Sequence, residues 1–271
     1  MPRNVPTAQY GSSAESDSLE NPPKRGNFTN FKYTNMEGIR QSERIQTSVL
    51  NGIEKKALIS MANKMPDWVS SDMLTWVGCL GAIVAALGYA LSDKSLAWLW
   101  LSYLGIIMNW FGDSLDGTLA RVRKQQRPVY GFYLDHNMDG ITLTIVCIGV
   151  GLSNMVHFSI AMLVLAVYLL LSIYSYINID LKGKHQLTFG KMGPTEFRLI
   201  VILITMVYHF FPGVHGYSKL TTFLGKPIVW GMFDYFAIGV LVILTVIYLV
   251  TLVKDGIEFS KADPLPERKK D

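Results

Sequence analysis

Long apolar segments without charge alternate along this chain with short segments that carry most of the charged residues. A helix needs about 20 residues to cross the hydrocarbon core of a bilayer. Six segments qualify by length, or come close to it. In chain order they are residues 73–92, 95–112, 140–156, 158–179, 199–211 and 235–253. The pattern therefore predicts an all-α fold, an integral membrane bundle of six transmembrane helices.

The third and fifth apolar segments are too short to cross a bilayer by themselves. They reach full length only if their helices continue into Asp135 and Asp139 in one case, and into Glu196 and Arg198 in the other. Ionisable side chains at membrane depth are uncommon and usually functional. We therefore expect a functional site at the ends of these two spans.

Before the first span, the pattern changes twice. Residues 1–44 are rich in Ser, Asn, Pro, Gly and charge, which predicts a disordered polar tail. Residues 45–66 predict an N-terminal amphipathic interfacial helix that ends at Pro66. Apolar side chains recur there every four residues, at Ile45, Val49, Ile53, Ala57 and Met61. An ordinary amphipathic helix on a small cytosolic cap is the alternative. A six-span domain over 67–254 and a polar cytoplasmic tail over 255–271 complete the predicted organisation.

The distribution of basic residues predicts the orientation in the membrane. If the N-terminus lies inside, the outer loops contain only Lys94, Lys219 and Lys226, and all other Lys and Arg lie on the inner side. Cytoplasmic loops of membrane proteins are the ones enriched in Lys and Arg. We therefore expect a multi-pass protein with both termini on the cytoplasmic side, together with the loops that follow the second and fourth spans.

Composition supports a membrane protein and argues against a nucleic-acid binder. Hydrophobic residues make up 50% of the chain and charged residues only 17%, against about 25% charged residues in soluble domains. The net charge of +4 has no basic stripe with interleaved aromatic residues, so we expect no nucleic-acid partner. Basic residues beside apolar spans indicate contact with anionic membrane lipids instead.

Four aspartates lie where the second and third spans meet on the inner side: Asp113, Asp116, Asp135 and Asp139. Residues three and four apart share one face of a helix, so each helix presents two of these carboxylates on one side. Two adjacent antiparallel helices would aim all four at one another. Like charges that close stay ionised only with a cation between them, which predicts a metal site.

The residue types around the aspartates indicate which ions and ligands the site would take. Oxygen ligands without an accompanying Cys or His set favour Mg²⁺ or Mn²⁺. Gly117 and Ala120 leave room for a ligand against the helix, and Arg121 offers a guanidinium suited to phosphate. Together these residues describe a diphosphate site. The alternative is a solvated helix end, in which the acids pair with neighbouring basic residues.

Residues 113–139 resemble the signature of the CDP-alcohol phosphotransferase (phosphatidyltransferase) family. That signature is Asp-x-x-Asp-Gly-x-x-Ala-Arg, a spacer, then Gly-x-x-x-Asp-x-x-x-Asp, and this chain has every signature residue, including Gly131. The spacer, residues 122–130, is longer than is usual for the family. The resemblance implies a metal-dependent enzyme of phospholipid synthesis with a six-span helical fold, and it implies a homodimer.

The resemblance also implies roles for the aspartates. Asp113, Asp116 and Asp135 would ligate one or two divalent ions that bridge the diphosphate of a CDP-linked donor, either CDP-diacylglycerol or a CDP-amino-alcohol. Asp139 would act as the general base toward an alcohol or lipid acceptor and would also touch a metal. CMP would leave, and a phosphodiester would form. Gly117, Ala120, Arg121 and Gly131 would contribute to binding the CDP group.

Roles are also expected for three further residues. Members of the family often have Pro-Asn-x-x-Thr before the first span, and only Thr75 matches this here, which implies a nucleotide contact; a plain helix-start residue is the alternative. Arg198 is a candidate contact for a phosphate or the acceptor, with a snorkelling interfacial anchor as the alternative. His136, beside Asp135, resembles the choline- and ethanolamine-phosphotransferases of eukaryotes and favours a CDP-amino-alcohol, unless it only packs between helices.

Two other function classes could use intramembrane carboxylates. A divalent-cation transporter would explain the acids, but it leaves Gly117, Ala120 and Arg121 unexplained. A membrane prenyltransferase also binds diphosphate through Asp-rich motifs and Mg²⁺, but such enzymes generally have more spans and a different Asp pattern. The CDP-alcohol phosphotransferase is therefore the preferred hypothesis.

Overall fold

The computed structural model describes residues 51–182, 194–223 and 225–264. The predicted disordered tail, 1–44, lies outside these residues, as do the start of the predicted interfacial helix and the last residues of the predicted C-terminal tail. Helices dominate the described chain, and their order follows the apolar segments of the sequence. The elements are α1 (Asn51–Lys64), α2 (Ser71–Leu91), a 3₁₀ turn (Leu96–Trp98), α3 (Leu99–Val122), α4 (Pro128–Gly151), α5 (Phe158–Lys182), α6 (Pro194–Phe210), α7 (Pro212–His215), β1 (Ser218–Phe223), β2 (Lys226–Gly231) and α8 (Met232–Ala262).

Within the described ranges, three helical segments are long and apolar enough to cross a membrane: Ser71–Leu91, Phe158–Asn178 and Met232–Ala262. The protein is accordingly an integral membrane protein. Each of the six predicted spans falls wholly or largely within a helix. The number of crossings stays a prediction.

Two features differ from the sequence-based expectation. Strands β1 and β2 form an antiparallel hairpin, with Ser218 opposite Gly231 and Phe223 opposite Lys226, so the all-helical prediction misses this element. Helix α8 also continues to Ala262, into the segment predicted as a polar tail. Its final turns lie beyond the apolar sequence, because charged residues such as Lys254 and Glu258 sustain a helix well in water.

Helices α2 and α3 approach each other closely along a line of small residues. A Cβ atom on Gly112 would overlap the backbone of Gly78, and one on Gly81 would lie 2.7 Å from the carbonyl oxygen of Gly105. Small residues at helix interfaces in membranes let the two backbones come together. The contact holds the C-terminal half of α3, which carries the first two aspartates, directly beside α2.

The α3–α4 connection reverses the chain, and the two aspartate-bearing helices that it joins both pack against α2. Arg123 caps α3, Lys124 takes a positive φ of 55°, and Pro128 opens α4. Proline suits the first turn of a helix because the N–H it lacks would have no intrahelical partner there. This short polar turn reverses the chain, so that the C-terminal end of α3 and the N-terminal half of α4 bring carboxylates of Asp113, Asp135 and Asp139 together.

Helix α1 packs against α3. Leu58 and Ala62 are buried together with Leu115 and Leu119, while Ala57 of the predicted apolar stripe is exposed. Met61 of the predicted stripe is partly buried against the same cluster, so the packed face of α1 includes Met61 and excludes Ala57. Packing against α3 decides which apolar residues of α1 are covered; contact of this helix with the membrane interface stays a prediction.

Polar contacts also fix α1 to the bundle. Glu54 Oε1 accepts hydrogen bonds from Trp110 Nε1 of α3 at 3.0 Å and from Thr195 Oγ1 of α6 at 2.5 Å. Arg123 donates from its guanidinium to the carbonyl oxygens that follow α1, those of Met65, Pro66 and Val69. Helix α1 therefore connects α3 with α6 next to the aspartates.

Candidate metal and diphosphate site

Three of the four predicted metal ligands converge in the structure. Asp113 of α3 and Asp135 and Asp139 of α4 each offer a carboxylate oxygen, and these oxygens lie within 4.8 Å of one another. Asp135 and Asp139 are one turn apart, so both project from the same face of α4. Hard divalent cations prefer such all-oxygen donor sets, and Mg²⁺ keeps several waters beside a few carboxylates. The residues present therefore fit Mg²⁺ or Mn²⁺.

Asp116, the fourth predicted ligand, is buried beside this group and does not belong to it by distance. Its Oδ2 accepts a hydrogen bond from Thr75 Oγ1 at 2.6 Å, and its Oδ1 accepts one from the backbone N–H of Gly117. Its carbonyl oxygen accepts one from Ser71 Oγ at 2.9 Å. Asp116 is therefore held chiefly by the start of α2, through residues more than 40 positions away in the chain.

Arg198 reaches the carboxylates from α6. Its Nη2 donates to Asp113 Oδ2 at 2.6 Å, and its Nε donates to Asn109 Oδ1 at 3.0 Å. Among the described residues, its buried Nη1 has no hydrogen-bond partner. The side chain is 17% exposed, so the guanidinium is directed into the bundle and not out to the membrane surface as an interfacial anchor would be.

Asn109 is a site residue that the sequence analysis did not single out. Besides accepting from Arg198, it donates from Nδ2 to the carbonyl oxygen of Gly78 at 3.0 Å. Its position four residues before Asp113 is the signal that could have identified it, since the two share one helical face. Asn109, Asp113 and Asp139 line a small cleft together with Thr75.

The residues predicted to bind a diphosphate lie on an open face of the same two helices. The Arg121 guanidinium lies over Gly117, because a Cβ atom added there would be 3.5 Å from Arg121 Nη1. Arg121 is exposed and also donates from Nη2 to Thr118 Oγ1 at 3.0 Å. Ala120 is half-buried, and a Cβ atom on Gly131 would meet nothing within 4 Å. A ligand therefore has room beside a cationic group.

Asp72 lies in the first turn of α2 but does not cap that helix. Ser70 is the N-cap of α2, with its Oγ accepting from Met73 N at 3.2 Å. Asp72 instead forms an ion pair with Arg127, whose guanidinium also lies 4.2 Å above the ring of Tyr130. The hydrogen bond with Asp72 raises the pKa of the Arg127 guanidinium. This pair ties the start of α4 to the start of α2.

His136 packs among aromatic rings. Its ring centroid lies 3.9 Å from that of Phe132 and 5.1 Å from that of Tyr176, and its Nδ1 is 2.8 Å from the carbonyl oxygen of Phe132. Only 9% of its side chain is exposed. His136 Nδ1 also lies 3.7 Å from Asp135 Oδ2, so the ring packs between helices beside a predicted metal ligand. Its role in choosing the donor stays a prediction.

The fold and the site together define an integral membrane protein whose aspartates suit a divalent cation beside a basic, open surface. The profile of the family described as CDP-alcohol phosphatidyltransferase matches residues 68–253. This match covers more than half of the chain, so the chain belongs to the CDP-alcohol phosphatidyltransferase family, as the aspartate signature predicts.

A curated relative agrees with this assignment. The chain is 34% identical over 71 residues to a phosphatidylinositol phosphate synthase of Cutibacterium acnes, and the matched stretch covers 26% of this chain. The same stretch spans 32% of the relative's length. The likeness is thus local.

Proposed function

We propose that this protein transfers a phospho-group from a CDP-linked donor to an alcohol in phospholipid synthesis, using a divalent metal ion and releasing CMP. The observation that carries the proposal is the group formed by Asp113, Asp135 and Asp139, whose carboxylate oxygens lie within 4.8 Å of one another. This group lies inside the region that matches the family. Mg²⁺ or Mn²⁺ is the proposed ion.

Asp113, Asp116, Asp135 and Asp139 would hold the ion or ions. Bound there, a divalent cation neutralises the diphosphate of the donor and aligns it with the attacking group. Asp116 is the ligand whose carboxylate is already fixed by protein donors. The other three carboxylates are the ones that gain most from a cation, because they are close to one another and carry like charge.

Asp139 is the proposed general base. It is the exposed member of the group, while Asp113 and Asp135 are half-buried, so an acceptor hydroxyl can reach it. Asp139 would take the hydroxyl proton as the oxygen forms its bond to phosphorus and the bond between phosphorus and the CMP oxygen breaks. A base of this kind has to lie within hydrogen-bond reach of the proton it removes.

The donor's diphosphate and nucleotide would lie along Gly117, Ala120, Arg121 and Gly131, where the structure leaves space beside a guanidinium. Arg198 is proposed to contact a phosphate oxygen or the acceptor through Nη1. That atom is buried and has no partner in the described part of the chain, while the other two guanidinium nitrogens hold Asn109 and Asp113. A buried donor left without a partner costs free energy, which a phosphate oxygen would recover.

We propose CDP-diacylglycerol as the donor to test first. The curated relative is named a phosphatidylinositol phosphate synthase, a name that indicates a phosphatidyl product. His136, which favoured a CDP-amino-alcohol, packs between aromatic rings. We further propose six spans, with both termini and the site on the cytoplasmic side, and a homodimer as the family resemblance implies.

The test measures CMP release by the purified protein in detergent with Mg²⁺ or Mn²⁺. A panel of CDP-diacylglycerol, CDP-choline and CDP-ethanolamine is combined with alcohol and diacylglycerol acceptors. Asp113→Ala and Asp139→Asn should each abolish release, and a chelator should abolish it until Mg²⁺ or Mn²⁺ is restored. Asp263→Asn, at the exposed end of α8, is the matched control and should retain full release.

Robust release by either site variant would contradict the assigned roles. The two alternatives give different results in the same preparation. A cation transporter would move Mn²⁺ into proteoliposomes and release no CMP from any donor, and a prenyltransferase would consume a prenyl diphosphate instead of a CDP-linked donor.

A further inference from the structure

Thr75 and Asp116 form a buried hydrogen bond between α2 and α3. The distance from Thr75 Oγ1 to Asp116 Oδ2 is 2.6 Å, and the two residues are 9% and 8% exposed. Hydrogen bonds to an ionised carboxylate are roughly twice as strong as neutral ones. Burial strengthens the bond further, because little water competes for either atom.

The hydroxyl of Thr75 is committed to this carboxylate. Its second possible acceptor, the carbonyl oxygen of Ser71, lies farther away at 3.3 Å. A threonine hydroxyl has one proton to donate, so the short contact with a charged acceptor takes it. What the hydroxyl retains is only acceptor capacity, which phosphate oxygens cannot use. Thr75 is also only 9% exposed, so it offers little surface to a ribose hydroxyl or a cytosine amino group, which could donate to it.

The other carboxylate oxygen of Asp116 and its carbonyl oxygen also accept hydrogen bonds. Gly117 N–H donates to Oδ1, and Ser71 Oγ donates to the Asp116 carbonyl oxygen at 2.9 Å. Helix α2 therefore orients both the backbone and the side chain of Asp116. Groups that orient a metal ligand from behind set how well that ligand binds.

We propose that Thr75 is a positioning residue that orients the Asp116 carboxylate for metal binding, and not a contact for the nucleotide. This inference rests on the proposed function in so far as Asp116 is a metal ligand. Without the hydroxyl, Asp116 loses a charge-assisted bond in a buried position, and its carboxylate can turn away from the metal. The Thr75 hydroxyl therefore affects the CDP-linked donor only through Asp116.

The experiment titrates Mn²⁺ into the purified full-length protein without nucleotide and follows free Mn²⁺ by electron paramagnetic resonance. Thr75→Val keeps the shape of the side chain and removes the hydroxyl. We expect it to weaken Mn²⁺ binding by about 10- to 100-fold, as loss of such a supporting group typically does. Thr75→Ser restores the hydroxyl and should restore the affinity of the parent protein.

Thr205→Val is the matched control. Thr205 is also a buried threonine, 2% exposed, whose hydroxyl is 2.8 Å from the hydroxyl of Tyr89. Removing its hydroxyl leaves the buried hydroxyl of Tyr89 without this partner, and no carboxylate is involved. Its Mn²⁺ affinity should equal that of the parent, which separates an effect on the metal from general loosening of the bundle.

Turnover supplies a second readout. At saturating Mn²⁺, Thr75→Val should keep the parent's KM for the CDP-linked donor, because the hydroxyl does not touch the nucleotide. A raised KM for the donor, together with unchanged Mn²⁺ affinity in the absence of nucleotide, would overturn the proposal in favour of a nucleotide contact. If Thr75→Val does not fold, Thr75→Ala replaces it, and parent-like Mn²⁺ affinity in that variant overturns the proposal equally.

The experiment distinguishes failure of the positioning role of Thr75 from failure of the proposed transferase activity. If the parent binds Mn²⁺ and releases no CMP from any donor, the transferase assignment fails, and the Thr75 variants still decide the positioning role. If the parent does not bind Mn²⁺, both proposals are overturned.

Discussion

Arg198 and Asp113 are joined by a hydrogen bond of 2.6 Å between Nη2 of the guanidinium and Oδ2 of the carboxylate. The bond links α6 to α3 at the point where Asp113 meets Asp135 and Asp139. Arg198 also holds Asn109 through Nε, so one side chain sets the position of two residues on the same face of α3. The N-terminal end of α6, which the sequence pattern described only as a short span with two charges, is thus part of the site.

Arg198→Ala should lower kcat by about 100-fold, because a misplacement of about 1 Å in a catalytic arrangement has that order of effect. Arg198→Lys is the control that keeps the charge, and it should retain part of the activity, since an ammonium cannot hold Asn109 and Asp113 in one planar fork. Steady-state kinetics with both substrates is the measurement. Unchanged turnover and unchanged Michaelis constants in Arg198→Ala would remove Arg198 from the site.

Gly112→Ala should destabilise the protein by about 1–3 kcal/mol, as overpacking of a close contact typically does. The added Cβ atom would overlap the backbone of Gly78 and force α2 and α3 apart. Gly239→Ala on α8 is the matched control, since a Cβ atom there meets nothing within 4 Å. Thermal unfolding in detergent compares the two. Equal midpoints for both variants would show that the helices tolerate a wider separation.

The pair formed by Asp72 and Arg127 should contribute little to stability, because the side chains are exposed and the charges are screened. Their exposed fractions are 38% and 55%. A double-mutant cycle with Asp72→Asn, Arg127→Gln and the combined variant measures the coupling from denaturant unfolding. The coupling should shrink as salt is raised; a large value that salt does not change would indicate a pair shielded from solvent.

The aspartate group was predictable because it depends on two regular features. Residues three and four apart share a helical face, and a short polar turn reverses the chain between α3 and α4, which both pack against α2. Asp113, Asp135 and Asp139 meet as expected on those grounds. The bond from Thr75 to Asp116 was not predictable, because it joins residues 41 positions apart and depends on how closely α2 approaches α3.

The structure differs from the sequence-based prediction at two other places, in α1 and in the hairpin. Periodicity places Ala57 and Met61 on one stripe of α1. Contact with α3 buries Leu58 and Ala62 and partly covers Met61, but it leaves Ala57 exposed. The sequence does contain signals for the hairpin, since residues 218–223 and 226–231 are rich in residues that favour β-strands. Gly225, with a positive φ of 78°, lies in the turn between them, where glycine is favoured.

The anchoring of α1 bears on where the chain can be shortened for biochemical work. A truncation that starts at residue 41 keeps Glu54 and its bonds to Trp110 and Thr195. A truncation that starts at residue 66 would leave both of those donors without their acceptor and would uncover Leu115, the residue before Asp116. A recombinant form meant for crystallisation should therefore begin before α1. Loss of solubility after a deeper truncation would result from exposing the surface of α3 that α1 covers.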